Sequence, residues 1–315
     1  MKLKRICGML LVMILCWTAA YADTNAVQVY DAVVDLLTET TNVTLNGNAT
    51  FSLDGKQFKY VDTSYVQDGL NSKWILDLTS TRADGRMKKS GFTVIANNRY
   101  KYAIEVFDPS ECKIVECDPQ SVILRSSVAL TQLISLGRAL VEQMPEWSEK
   151  EFSRKDDGSM SIHVSKEQIP GAVNHLLSLG VLMAVQRTMN IVDDSIMTPV
   201  YPLEVATFED SAVSTTPTRA IISNTEEYEL TDLSAEIKMD KNDRLTDVSG
   251  TARFVLHTFR DGEHELEITF AGKTFDYGNS TVPAFDPAEY GFDPKDGRFY
   301  IPGDQENVDN GPGWG

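Results

Sequence analysis

The chain of 315 residues carries 29 Lys plus Arg against 46 Asp plus Glu, a formal net charge of −17, which disfavours binding to a nucleic-acid phosphate backbone. An apolar fraction of 42%, with 4 Trp, 11 Tyr and 13 Phe, suits a substantial core and argues against disorder of the whole chain. Composition alone does not separate a filled core from a ligand cavity, and the length permits one large domain or two ordinary ones.

Lys2, Lys4 and Arg5 precede the apolar run Ile6 to Trp17, and Ala20-Tyr21-Ala22 supplies small residues where a signal peptidase reads. Residues 1–22 therefore read as a signal peptide. The run is short for an uncleaved anchor, and Leu15 stands before Cys16 where a lipoprotein signal normally has a small residue. Cleavage after Ala22 would leave 26 basic against 46 acidic residues, a charge of −20 over 293 residues. No later segment is apolar for long enough to cross a bilayer. The chain is accordingly expected at the periplasmic or extracellular face of a bacterial envelope, with no stable transmembrane segment after leader cleavage.

Ala26 to Thr40 places Val29, Ala32, Val33, Leu36 and Leu37 on one helical stripe. Strand-like runs follow at Val43–Leu53, Gln57–Val66 and Lys73–Thr81, separated by Asp54-Gly55 and Asp68-Gly69 and leading to Asp84-Gly85. Glycine accepts positive φ and Asp bonds locally, so these pairs are hairpin turns of an antiparallel meander. The meander continues through Gly91–Ala96 and Arg99–Phe107 across the Asn97-Asn98 turn.

Cys112 and Cys117 are the cysteines left after leader removal. An even pair in an exported chain reads first as a disulfide staple, with free or transiently paired thiols as the alternative. The four histidines, at 163, 175, 257 and 264, show no ligand-like spacing to them, and structural zinc usually needs four ligands. No metal and no cofactor are expected.

Val122 to Met144, stopped by Pro145, and the run from Pro170 to Val185 are predicted helices able to cover a sheet. Ser159–Val164 reads as a strand between them, and Tyr201–Phe208 and Arg219–Ile222 as short strands. A closing meander spans Tyr228–Met239, Arg244–Phe259 and His264–Phe270, with turns at Asp240–Asp243 and Asp261-Gly262. The two meanders are expected in the same or adjoining sheets. Neither the Asp-rich turns nor any Ser-His-Asp order or glycine-rich cradle supports catalysis or calcium binding, so the chain is not expected to be an enzyme.

This order ends at Ile268-Thr-Phe-Ala-Gly-Lys-Thr-Phe-Asp-Tyr277-Gly278 and then Val282-Pro283. Over roughly residues 25 to 285 the chain resembles the LolA-like and LppX/LprG-like family of exported lipoprotein and lipid carriers. The resemblance implies an α+β fold: a strongly curved antiparallel sheet, or unclosed β-barrel, covered on its concave face by helices, with an apolar cavity for acyl chains between them. Candidate cavity residues on those elements are Phe58, Tyr60, Trp74, Leu76, Phe92, Val128, Leu133, Leu136, Leu176 and Leu179; ordinary core packing is the competing reading of each.

The expected organisation is residues 1–22 as signal peptide, 23–283 as the LolA-like domain, and 284–315 as an aromatic, Gly- and Pro-containing extension. Phe285, Tyr290, Phe292 and Phe299 are candidate anchors for the extension, and Trp314 is its candidate partner contact. The expected function is a non-catalytic extracytoplasmic carrier or binding protein for a lipid, acyl chain, lipoprotein or other hydrophobic ligand. The alternative is an envelope structural or regulatory sensor module that binds another protein.

Overall fold

In a computed structural model, the described residues are 24–81, 86–97, 100–105, 112–116, 121–124, 131, 134–135, 138, 152–154, 158–168, 218, 221–222, 224–259 and 262–286. The leader, the Pro170–Val185 segment, the predicted strand at 201–208 and the extension beyond residue 286 lie outside them.

One helix, α1 (Thr24–Thr38), precedes a sheet of eleven strands: β1 (Asn42–Leu53), β2 (Lys56–Asp68), β3 (Asn71–Thr81), β4 (Met87–Ala96), β5 (Tyr100–Glu105), β6 (Cys112–Glu116), β7 (Phe152–Arg154), β8 (Met160–Ser165), β9 (Thr225–Met239), β10 (Leu245–Thr258) and β11 (Gly262–Phe275). Their spatial order is β6-β5-β4-β3-β2-β1-β11-β10-β9-β8-β7, and every pairing is antiparallel. The sheet is unclosed, since β6 and β7 form its two edges. The two predicted meanders therefore belong to one sheet, joined where β1 pairs with β11.

Alternation gives this sheet one apolar face. Phe51, Val61, Leu76, Leu78, Ala252, Phe254, Leu266, Ile268, Leu233 and Val164 are buried in one cluster. The α1 stripe, Val29, Tyr30, Val33, Leu36 and Leu37, joins that cluster, as the spacing of three and four requires. The Val122–Met144 segment contributes too: buried Ile123 belongs to the cluster, the Leu124 N–H donates to Leu37 O at 2.8 Å, and the Tyr30 hydroxyl donates to Ile134 O. Thr131, Ile134, Ser135 and Arg138 are helical, and Arg138 lies 3.4 Å from Asp31.

Three glycines mark the middle of the apolar face. Gly47 pairs with Gly272, and Gly250 pairs with Ala235 and Phe270. A Cβ at Gly250 would lie 2.4 Å from Ser234 O and 2.7 Å from Phe270 Cζ. Glycine here permits a close approach of backbone and ring that no other residue allows.

Both ends of the chain's sheet-forming region meet at a clasp. The Tyr277 hydroxyl donates to Leu245 O at 2.8 Å, and the Arg244 guanidinium lies 4.5 Å from the Tyr277 ring centre. Burial pushes the Tyr277 phenol up to about 12. Gly278, at φ 77, turns the chain so that its N–H donates to Asn42 O at 3.1 Å. The Asn42 side chain then accepts from Ser280 N at 2.7 Å and donates to Ser280 O at 2.9 Å.

Beyond the clasp, Phe285 stacks on Tyr102 with ring centres 4.1 Å apart, beside Ile95 and Ile104 in a second small cluster. Ile95 and Tyr102 pair with each other, while Phe92 and Val94 sit at the alternate positions, so this cluster lies on the opposite face of the sheet. Phe285 thus anchors the start of the extension, as expected.

Two elements differ from the sequence reading. Thr218, Ile221 and Ile222 are helical rather than extended, with Asn224 N and Thr225 Oγ1 both bonding to Ile221 O; a short apolar run carries no period that separates the two. Cys112–Glu116 is edge strand β6, which the sequence reading assigned to no element. A strand rises about 3.4 Å per residue, whereas disulfide-bonded residues have Cα atoms within about 7 Å. That extension favours the free-thiol alternative over a Cys112–Cys117 staple, although Cys117 itself lies outside the described residues. Both cysteines are expected to be alkylated in the unreduced protein; peptide mapping that finds them linked and unmodified would establish the staple.

Candidate functional site

Antiparallel order brings the β1–β2 turn, the end of β3, the β10–β11 turn and the start of β9 to one end of the sheet. Near that end the apolar face contains four polar side chains: Lys59, Ser80, Tyr228 and His264.

Lys59 is placed by a β-bulge. Phe51 pairs with Lys59 and Ser52 with Gln57, which leaves Phe58 as the additional residue. A bulge turns two successive side chains toward one side, and both Phe58 and Lys59 are buried, Lys59 to 2% exposure. Its amine therefore lies among apolar side chains, and burial pushes it down to about 7. Ser80 is the cross-strand partner of Lys59, and its Oγ is buried without a hydrogen-bond partner among the described residues.

On the other side of β1, Asp54 occupies the β1–β2 turn at φ 49. Its carboxylate accepts from Glu265 N at 3.0 Å and lies 2.8 Å from His264 Nδ1. Burial works against its ionisation, but the Glu265 N–H and the His264 ring hold it below the ordinary value. His264 Nε2 is buried and makes no hydrogen bond among the described residues. The Tyr228 hydroxyl is in the same condition; burial pushes it up to about 12, with the neighbouring Thr225 hydroxyl acting in the opposite direction. The Thr225 hydroxyl itself donates to Ile221 O at 2.9 Å.

The predicted cavity residues divide. Phe58, Trp74, Leu76 and Phe92 come together in the apolar cluster, with the Phe51 and Phe58 ring centres 6.2 Å apart. Tyr60 does not join them: it pairs with Thr50 and Thr79, at the positions alternating with Lys59 and Val61, and its hydroxyl lies 3.5 Å from Asp62 on the other face. The bulge explains the difference, because it breaks the alternation that would place Phe58 and Tyr60 together. Val128, Leu133, Leu136, Leu176, Leu179, Cys117 and Trp314 lie outside the described residues.

The opposite face over β8–β11 carries ion pairs. Lys166 lies 2.8 Å from Glu229 and His257 3.6 Å from it, while Arg253 lies 3.0 Å from Glu267 and 3.6 Å from Asp232. The Lys166 hydrogen bond holds the Glu229 carboxyl below its ordinary value. Cross-strand pairs of this exposed kind are ordinary sheet chemistry. Among the described residues, no group of three or more His, Cys, Asp or Glu is placed to hold a metal ion, and no helix is long and apolar enough to cross a membrane.

Sequence reasoning missed Lys59, Ser80, Tyr228 and His264 as a group. Asp54 and His264 stand 210 positions apart, and no local pattern links them.

No protein-family profile matches the chain, and no curated protein sequence matches it. Among solved structures, it is similar to the S-type phycobiliprotein lyase of Guillardia theta at 5% identity, covering 81% of this chain and 98% of the other with a TM-score of 0.21. It is also similar to a LolA superfamily protein of Nitrosomonas europaea at 9% identity, covering 83% and 96% with a TM-score of 0.21. At these scores neither likeness carries the functional argument, which rests on the chain's own residues.

Proposed function

We propose that the chain is a non-catalytic extracytoplasmic carrier or binding protein for a hydrophobic ligand that bears a polar group. The observation that supports this reading is the placement of buried polar atoms, Lys59 Nζ, Ser80 Oγ, Tyr228 OH and His264 Nε2, on an otherwise apolar sheet face. A core selected only for stability gains by replacing such groups with apolar ones. A ligand site instead combines apolar walls with a few convergent polar groups.

The sheet on this reading curves around an apolar interior, with helices across its concave face and the ligand's chain between them. Phe58, Trp74, Leu76 and Phe92 are its wall residues on the β2–β4 side. The proposed non-catalytic role draws on the Asp54–His264 pair: nucleophilic catalysis needs a hydroxyl or thiol at the free imidazole nitrogen, and none bonds there among the described residues. Export rests on the leader, and the resemblance in element order implies the same location and role.

Native mass spectrometry of the protein, gently purified from its source cell, tests the proposal. Reproducible adducts of acyl-chain mass are the expected result. An empty monomer, together with an experimental structure whose apolar face is filled by side chains, would overturn it in favour of a module that binds another envelope protein.

A further inference from the structure

We propose that Tyr228 and His264 form a subsite for the head of a neutral, hydroxyl-bearing amphiphile whose chain lies along the apolar face. This inference names the ligand class for the carrier role above and rests on that reading.

Strand register carries the argument. Leu256 pairs with Tyr228 on one side and with His264 on the other, so the three side chains form a row on one face of β9, β10 and β11. Tyr228 is 1% exposed and Leu256 fully buried. The row thus ends on either side in a buried polar atom that lacks a hydrogen bond among the described residues, Tyr228 OH and His264 Nε2. Both atoms ordinarily find a partner when buried.

The chemistry of the missing partner follows from Asp54. An ionised carboxylate only accepts hydrogen bonds, so in the neutral imidazole the proton resides on Nδ1, facing Asp54, and Nε2 presents a lone pair. Asp54 is held in place by the Glu265 N–H and by its turn. A hydroxyl satisfies the subsite completely: it donates to His264 Nε2 and accepts from Tyr228 OH. A carboxylate head would set its charge against the Nε2 lone pair, with the Asp54 carboxylate behind the ring. Phe259, 73% exposed, follows β10 at the same end of the sheet and supplies an apolar side chain at the rim.

Competition against a fluorescent apolar probe tests this on the full chain, expressed with its own leader, using 1-monooleoylglycerol, methyl oleate and oleate. The expected result is monooleoylglycerol binding about tenfold more tightly than methyl oleate, the difference of one satisfied hydrogen-bonding site. Tyr228→Phe and His264→Phe should each remove that advantage and leave methyl oleate unchanged. If methyl oleate or oleate binds as tightly as monooleoylglycerol, or the variants weaken all three alike, the subsite is overturned while the carrier reading stands. If none of the three binds, both fall. Should His264→Phe fail to fold, Tyr228→Phe, which removes only the hydroxyl oxygen, decides the matter alone.

Discussion

Lys59→Met is expected to make the protein more stable at pH 7 and to abolish a rise in stability between neutral and alkaline pH. The folded amine ionises at about 7 against an ordinary value of 10.5. Between those values the unfolded chain holds a proton that the folded chain has released, so stability rises with pH across that window. Below pH 7 both states are protonated and the folded state carries the full cost of the buried charge. At about 1.4 kcal/mol per pH unit, that cost has an upper bound of about 5 kcal/mol. Methionine keeps an unbranched apolar stem in the bulge beside Phe58 and removes the charge. Replacement of buried charges by apolar residues of similar volume commonly gains about 1–4 kcal/mol. Urea denaturation at pH 6 and at pH 10 reads both effects. A variant less stable than the parent at pH 6 would show instead that the ammonium is held by a partner whose loss outweighs the relief of burial.

Gly250→Val is expected to destabilise the fold by about 3 kcal/mol or more, at the upper end of what overpacking costs. The obstruction begins at the β carbon. Its ideal position lies 2.4 Å from Ser234 O, 2.7 Å from Phe270 Cζ and 3.1 Å from Ala235 Cα. The phenyl ring could swing away, but Ser234 O belongs to the β9 backbone and moves only if the β9–β10 ladder opens. Ser249, exposed at the adjacent position, supplies the control: Ser249→Val carries the same β-branched side chain on the solvent side and should cost little. Paired thermal and urea unfolding of the two variants checks the difference. A loss below about 1 kcal/mol at Gly250 would mean that the two strands separate there without penalty.

The meanders were legible because hairpin chemistry is local. Asp54-Gly55 takes left-handed conformations at φ 49 and φ 74, as its sequence predicts, and the strands on either side follow within a few residues. The α1 stripe was legible for the same reason: five apolar positions at helical spacing meet one apolar surface. Edge strands β6 and β7 were not, since strands of five and three residues are too short to display an alternation. The site was less legible still. Lys59 reads as a solvent-facing residue in a strand until the bulge opposite Phe51 and Ser52 is known, and that bulge depends on pairing rather than on composition. Tyr60 was misplaced for the same reason. His264 has no neighbour in sequence that betrays Asp54, because their contact is made by the return of β11 alongside β1.

That return has a consequence for how the molecule is made. Thr44 pairs with Phe275 and Leu53 with Leu266, so the second strand partner of β1 arrives only after nearly the whole sheet-forming sequence has been synthesised. Strands β1 to β5 can zip together through short turns, but the inner edge of β1 stays unpaired until then. Pairing across so long a loop must first meet a large entropy cost. Folding should therefore show a fast phase confined to the two meanders and a slower closing phase in which β1 meets β11. A chain held unfolded until it has been fully delivered is spared a long interval with an open strand edge, an advantage that an exported protein of this topology would obtain from its route.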